Sequence, residues 1–252
     1  MAESCCPPGS WPLLVADKDY EPKGLLSVID QDIPIYVSGD AATGKGVIVL
    51  PEIFGFEGRL KNICDTIAEN GYFVVMPDCH RGDSAKGKEN IPAWVKECDD
   101  KNPVTKDLAK VVSYFESKGV PATSLSAIGH CWGTWAWVQG VAEGDLKLRC
   151  GLGPHPSIKL EQFAFGRSQE DMCKKAVEKA GGALPVLLIT AGNDPPNVKA
   201  GGELVEILKA ETFDFPEQQH GWFSRGDVSN PEVKAAVEKT MTMVVEFLKK
   251  HH

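Results

Sequence analysis

The segment Gly129-His130-Cys131-Trp132-Gly133 places a thiol where an apolar run ends and an amphipathic one begins. Flanking glycines suit a tight strand-to-helix turn, because the turn crowds its neighbours, strains the central backbone and aims that residue's side chain outward. The helix starting at Trp132 directs its positive end at the sulfur and favours thiolate over thiol. A structural cysteine between two chance glycines is the plain alternative, and the five residues alone do not separate the two.

A thiol nucleophile needs a base, and the base needs a third group that holds its tautomer and supports its charge. Asp194 lies in Ala191-Gly192-Asn193-Asp194-Pro195-Pro196, directly after the apolar run Pro185 to Thr190. His220 lies in Gln219-His220-Gly221-Trp222, after the short run Thr212 to Phe215. The other candidates serve less well. Asp78 precedes the turn and reads as a loop cap, and Asp214 lies inside a strand. His130 adjoins the nucleophile, so its ring should point away and pack. His155, in Gly153-Pro154-His155-Pro156-Ser157, ends a strand; lining the pocket and packing are both open to it. His80 sits in an irregular loop without a recognisable partner. For His220 the plain alternative is a satisfied loop histidine.

These residues need elements that bring them to one edge. Leu25 to Val37 alternates around Asp30-Gln31-Asp32 and reads as an antiparallel hairpin. Short apolar runs follow at Val47 to Leu50, Tyr72 to Met76, Ser126 to Ile128, Leu148 to Leu152 and Pro185 to Thr190, as for strands buried on both faces. Between and after them, helical spacing covers Leu60 to Glu69, Val104 to Lys118, Trp132 to Ala142, Glu170 to Ala180, Val198 to Lys209 and Pro231 to Lys249. The alternation predicts an α/β fold with a mostly parallel, doubly wound sheet, helices on both faces and ligands at the carboxyl ends of the strands. The order nucleophile, acid, histidine is that of the α/β-hydrolase fold. Asp78 to Asn102 is long for a connection and is expected to border the site.

In that fold the strand Val47 to Leu50 leads into a second oxyanion donor, here within Pro51-Glu52-Ile53-Phe54-Gly55. The backbone amides of Ile53 and Trp132 would then hold a developing oxyanion without a metal. Glu52 is an oddity, a carboxylate among apolar residues facing the presumed thiol; a helix cap or surface charge is its plain alternative.

The set P-E-I-F-G, P-D, G-H-C-W-G, a post-strand N-D and H-G-W-F-S-R-G, spread from about residue 25 to the C-terminus, resembles the dienelactone hydrolase (carboxymethylenebutenolidase) family. The resemblance implies Cys131 as nucleophile, Asp194 and His220 as its partners, and Glu52 as the residue that contacts the thiol and activates it when substrate arrives. It also implies Arg225 as a binder of a substrate carboxylate, a task suited to a guanidinium fork. Arg81 is a second such candidate by its place in a strand-end loop, and His155 and Trp222 are further candidate pocket residues. Gly153 to Gly182 departs in length and content from the compact bacterial members, with Phe163 and Phe165 expected to shape the pocket, so substrate identity does not carry over.

With 252 residues, 42% hydrophobic and 25% charged, the chain reads as one domain over 1–252, with residues 1–12 as a loosely ordered tail. A net charge of −8 and the absence of a basic run argue against nucleic acid and acidic membranes, leaving a small ester or lactone, anionic or not, as the partner of a monomer or homodimer. Neither an export signal nor a run of transmembrane length is recognisable, so a cytoplasmic place is expected. The eight cysteines read as free thiols; Cys5 and Cys6 on the tail are given no chemistry. The expected reaction is hydrolysis of an ester or enol-lactone without a cofactor. An isomerase, lyase or racemase using the same thiol, or a non-catalytic binding protein on this fold, are the rival readings.

Overall fold

The computed structural model describes residues 6–14 and 20–252. Eight strands form one sheet in the order β1-β2-β4-β3-β5-β6-β7-β8. The strands β1 (Leu25–Ile29) and β2 (Ile33–Ser38) make the antiparallel hairpin. β2 then pairs antiparallel with β4 (Phe73–Pro77). From β4 onward all pairings are parallel, through β3 (Gly46–Leu50), β5 (Leu125–Gly129), β6 (Gly151–Pro154), β7 (Val186–Ala191) and β8 (Glu211–Phe215).

Nine α-helices cover the two faces among the described residues: α1 (Leu60–Glu69), α2 (Ile91–Lys101), α3 (Val104–Ser117), α4 (Trp132–Glu143), α5 (Leu160–Phe165), α6 (Gln169–Lys179), α7 (Glu203–Leu208), α8 (Trp222–Arg225) and α9 (Pro231–His251). The central strands are apolar throughout because each alternate residue enters a different core. Ile48 and Leu50 join the core under α2, α3 and α4, with Trp94, Phe115 and Trp135. Val47 and Val49 join the opposite core under α1 and α9, with Ile63, Phe247 and Leu248. None of the described helices is long and apolar enough to cross a membrane.

Three expectations shift. The sixth strand spans Gly151–Pro154 rather than Leu148 to Leu152, because the glycines let helix α4 press close; a Cβ on Gly151 would lie 2.8 Å from the Trp137 ring. The expected helix Val198 to Lys209 shrinks to Glu203–Leu208 behind a 3-10 turn over Pro196–Val198, since Gly201 takes a positive φ of 76°. The stretch Asp78 to Asn102 contains α2, whose Ile91, Trp94, Val95 and Cys98 follow helical spacing and pack on the core. Asn90 caps it by accepting from the Ala93 amide at 3.1 Å.

Helix α4 sits so close to β3 that only glycine fits at its first turn: a Cβ on Gly133 would lie 2.4 Å from the Leu50 carbonyl oxygen. Gly133→Ala is therefore expected to cost about 1–3 kcal/mol by overpacking, measured as a lower urea midpoint with an unchanged slope.

Candidate active site

Parallel strands share one carboxyl edge, and five connections leave it carrying ionisable side chains. Glu52 follows β3, Cys131 follows β5, His155 follows β6, Asp194 follows β7 and His220 follows β8. Each is buried, with Cys131, His155 and His220 wholly excluded from solvent.

Cys131 stands between β5 and α4 with φ 52° and ψ −112°, in a region that L-residues other than glycine seldom occupy. Packing forces this geometry. A Cβ on Gly129 would meet the Gly133 carbonyl carbon at 2.2 Å and the Thr134 nitrogen at 2.4 Å, so the two backbones touch directly. The Cys131 amide donates to the Pro154 carbonyl at 3.3 Å, and the Cys131 carbonyl accepts from the Ser157 amide at 3.1 Å, which fastens the turn to the connection after β6. The sulfur lies 3.2 Å from Ser157 Oγ and 3.9 Å from Cys6 Sγ. Among the described residues, no turn or loop hydrogen bond uses the Ile53 or Trp132 amide.

His220 Nδ1 lies 2.6 Å from Asp194 Oδ1, and the other carboxylate oxygen of Asp194 accepts from the Ala191 amide at 2.8 Å. The His220 amide donates to Asn193 Oδ1 at 2.7 Å, so residues 193 and 194 grip the histidine at both ends. A ring nitrogen of His220 lies within 4.8 Å of the Cys131 sulfur. Since Nδ1 is taken by Asp194, the nitrogen available to the sulfur is Nε2, which has no hydrogen-bond partner of its own. Burial pulls the His220 imidazolium down, but the charges of Asp194 and Cys131 outweigh it and hold the group well above the ordinary histidine range. The arrangement can keep a proton on the imidazole next to a sulfur and return it to a leaving group.

Glu52 occupies a second buried charge pair. Its Oε2 lies 2.8 Å from Arg225 Nη2, its Oε1 accepts from Ser224 Oγ, and His155 Nε2 is 4.0 Å away. Burial pushes the Glu52 carboxyl up against the opposing pull of Arg225. The direct contacts of the Glu52 carboxylate are thus with Arg225 and Ser224, while the Cys131 sulfur lies near enough to act on it through charge. Arg225 also donates to the Trp11 carbonyl and lies 5.0 Å from the Phe54 ring centre. His155, at φ 40°, meets the His220 ring edge-on at 5.0 Å and Trp222 at 5.4 Å. Trp222 continues that wall against Phe215 at 5.4 Å.

Other candidates lie elsewhere. Arg81 is not open to a ligand: it pairs with Asp107 and, at 2.9 Å, with Asp32, and donates to the Cys79 carbonyl at 2.8 Å. Its charge is absorbed in joining the β1–β2 turn to α3. His80 is wedged between Trp94 (4.8 Å) and Trp132 (4.5 Å), beside a narrow crevice also lined by Cys79, Val95 and Cys98. His130 turns from the sulfur and stacks on Phe223. Asp78 caps its loop by accepting from the His80 and Gly82 amides at 3.0 and 2.7 Å. Phe165 stacks on Trp135 at 5.0 Å.

Residues 1–5 of the expected tail lie outside the described residues, but 6–14 are packed rather than loose. The Trp11 amide donates to the His220 carbonyl at 2.9 Å, and Asn193 Nδ2 donates to the Pro8 carbonyl at 3.0 Å. These bonds set Cys6 against Cys131, a neighbour that its place at a polar, proline-containing terminus did not advertise. Ser157 and Ser224 are further site residues that sequence reasoning passed over; their only signal was proximity to His155 and to His220.

Residues 33–252 match the dienelactone hydrolase family. The protein Hydrolase tropI of Talaromyces stipitatus is 28% identical over 251 residues, covering 91% of each chain. An endo-1,3;1,4-beta-D-glucanase of Zea mays is 34% identical over 127 residues, which is 48% of this chain and 39% of that protein, so the match spans well under half of the relative. In fold, the chain is similar to a thermophilic esterase of Thermogutta terrifontis with a TM-score of 0.61 and 16% identity, over 91% of this chain and 94% of that one.

Burial pushes His80 and His130 down to about 4, so both are uncharged at neutral pH. An unfolded chain takes those protons near the ordinary value, so the two contribute full stability above about 6.5 and lose it as pH falls toward 4, on the order of 3 kcal/mol each. His80→Phe is expected to flatten the decline of the urea midpoint across that window relative to the parent. Arg225→Met strands a buried carboxylate and is expected to cost about 3–5 kcal/mol in urea unfolding, most of it recovered when Glu52→Leu is added.

Proposed function

This chain belongs to the dienelactone hydrolase family of ester and lactone hydrolases, and from that membership we propose that it cleaves a small ester or enol-lactone through Cys131, with His220 and Asp194 as its partners. The observation that carries the reading is the alignment of three groups. The sulfur sits at a strained turn, a histidine nitrogen lies within 4.8 Å of it, and the far side of the ring is 2.6 Å from a buried carboxylate.

The sulfur attacks the carbonyl carbon and the carbonyl oxygen becomes an oxyanion between the Ile53 and Trp132 amides, two donors fixed before the charge develops. His220 passes its proton to the departing alkoxide or enolate, leaving a thioester. Water, deprotonated by His220, then attacks that thioester and returns the proton and the free thiol. Asp194 holds the imidazole tautomer throughout. No step calls on a cofactor.

Arg225 supports an anionic substrate. Its Nε is a buried donor without a partner, so the guanidinium can take a second carboxylate. A ligand there weakens the hold on Glu52, whose raised carboxyl is then suited to receive the thiol proton. Arg81, with its donors occupied, takes no part.

Cys131→Ala is expected to lower p-nitrophenyl acetate hydrolysis by about 10³-fold or more. Alkylation with iodoacetamide, followed by mass spectrometry, should remove activity in proportion to the label on Cys131. Full labelling of Cys131 with persistent esterase activity would show another nucleophile at work.

A further inference from the structure

The geometry points to a binding site for a thiophilic divalent cation of the zinc class, made by Cys6 Sγ, Cys131 Sγ and His220 Nε2. The three ligand atoms lie within 4.8 Å of one another, and the two sulfurs are 3.9 Å apart. A tetrahedral zinc ion with sulfur at about 2.3 Å demands a sulfur–sulfur edge of about 3.8 Å, so the ion enters with little movement of either thiol. Neither cysteine is in a disulfide. His220 Nε2 is wholly buried and without a hydrogen-bond partner.

The outer side of the histidine is prepared as well. Asp194, at 2.6 Å from Nδ1, fixes the tautomer that leaves the Nε2 lone pair inward, the carboxylate–histidine support that zinc sites use. Cys6 is delivered by a segment already bonded to the site through the Trp11 amide and the Pro8 carbonyl. The three protein ligands leave one position of the tetrahedron open. Binding expels the thiol protons and any proton on Nε2, so affinity rises with pH. An ion held this way occupies both the sulfur and the imidazole and blocks hydrolysis; that consequence rests on the function proposed above, whereas the binding itself does not.

The test uses the full chain, reduced with a phosphine and titrated with Co²⁺ in the absence of substrate. The expected result is one equivalent bound with intense visible bands of tetrahedral cobalt and a thiolate-to-cobalt charge-transfer band of two-sulfur strength, all displaced by Zn²⁺. Cys6→Ser should reduce that band to one-sulfur strength and weaken Zn²⁺ binding by more than the roughly 10- to 100-fold typical of a lost outer partner. Zn²⁺ should also protect Cys6 and Cys131, but not Cys98, from alkylation in the unmodified chain, a reading independent of how the variant folds. A weak octahedral cobalt spectrum, an unchanged spectrum in Cys6→Ser, or alkylation of Cys6 at its metal-free rate would each overturn the site, and none depends on Cys131 being the nucleophile.

Discussion

A carboxylate and an imidazole held together without water set the terms for the rest of this fold. Asp194 and His220 are 26 residues apart in the chain and belong to connections after neighbouring strands, so their 2.6 Å contact exists only because β7 and β8 pair in parallel and end level with each other. Neither group tolerates this depth alone; each stabilises the other's charge where solvent cannot. The Ala191 amide and the Asn193 side chain complete the shell, which makes the end of β7 a clamp rather than a loop.

The second charge pair, Glu52 with Arg225, repeats the logic at the end of β3. Two buried ion pairs meet across His155, whose own imidazole is held well below the ordinary range by burial and then by the nearby charge of His220. A neutral ring thus separates the two pairs, touching His220 edge-on and Ser224 at 3.4 Å. The consequence is a site whose buried charges come in opposed pairs, Asp194 with His220 and Glu52 with Arg225, so that its net charge is near balance.

Much of this was legible in the residues. Buried strands announced themselves as apolar runs, and glycine or proline punctuated the connections that hold Cys131, Asp194 and His220, so their place at one sheet edge followed from periodicity alone. Helix α2 was harder, since seven charged or amide side chains between Lys88 and Asn102 hid the apolar spacing of Ile91, Trp94, Val95 and Cys98. Partner choice was not legible at all. Whether Glu52 meets a thiol or an arginine 173 positions away, or whether Arg81 is spent on Asp32 and Asp107, depends on long-range packing that no local pattern encodes. The same is true of Cys6, whose neighbour lies 125 positions on and is fixed by main-chain bonds of the terminal segment.

The backbone torsion at Cys131 carries a cost that the unliganded molecule never recovers. A left-handed torsion on a residue with a Cβ amounts to about 1–3 kcal/mol, and glycine would occupy the same bend free of it. The thiol therefore stands where glycine would favour thermal robustness. A screen that rewards heat tolerance alone would drift toward chains that keep the architecture and discard the sulfur.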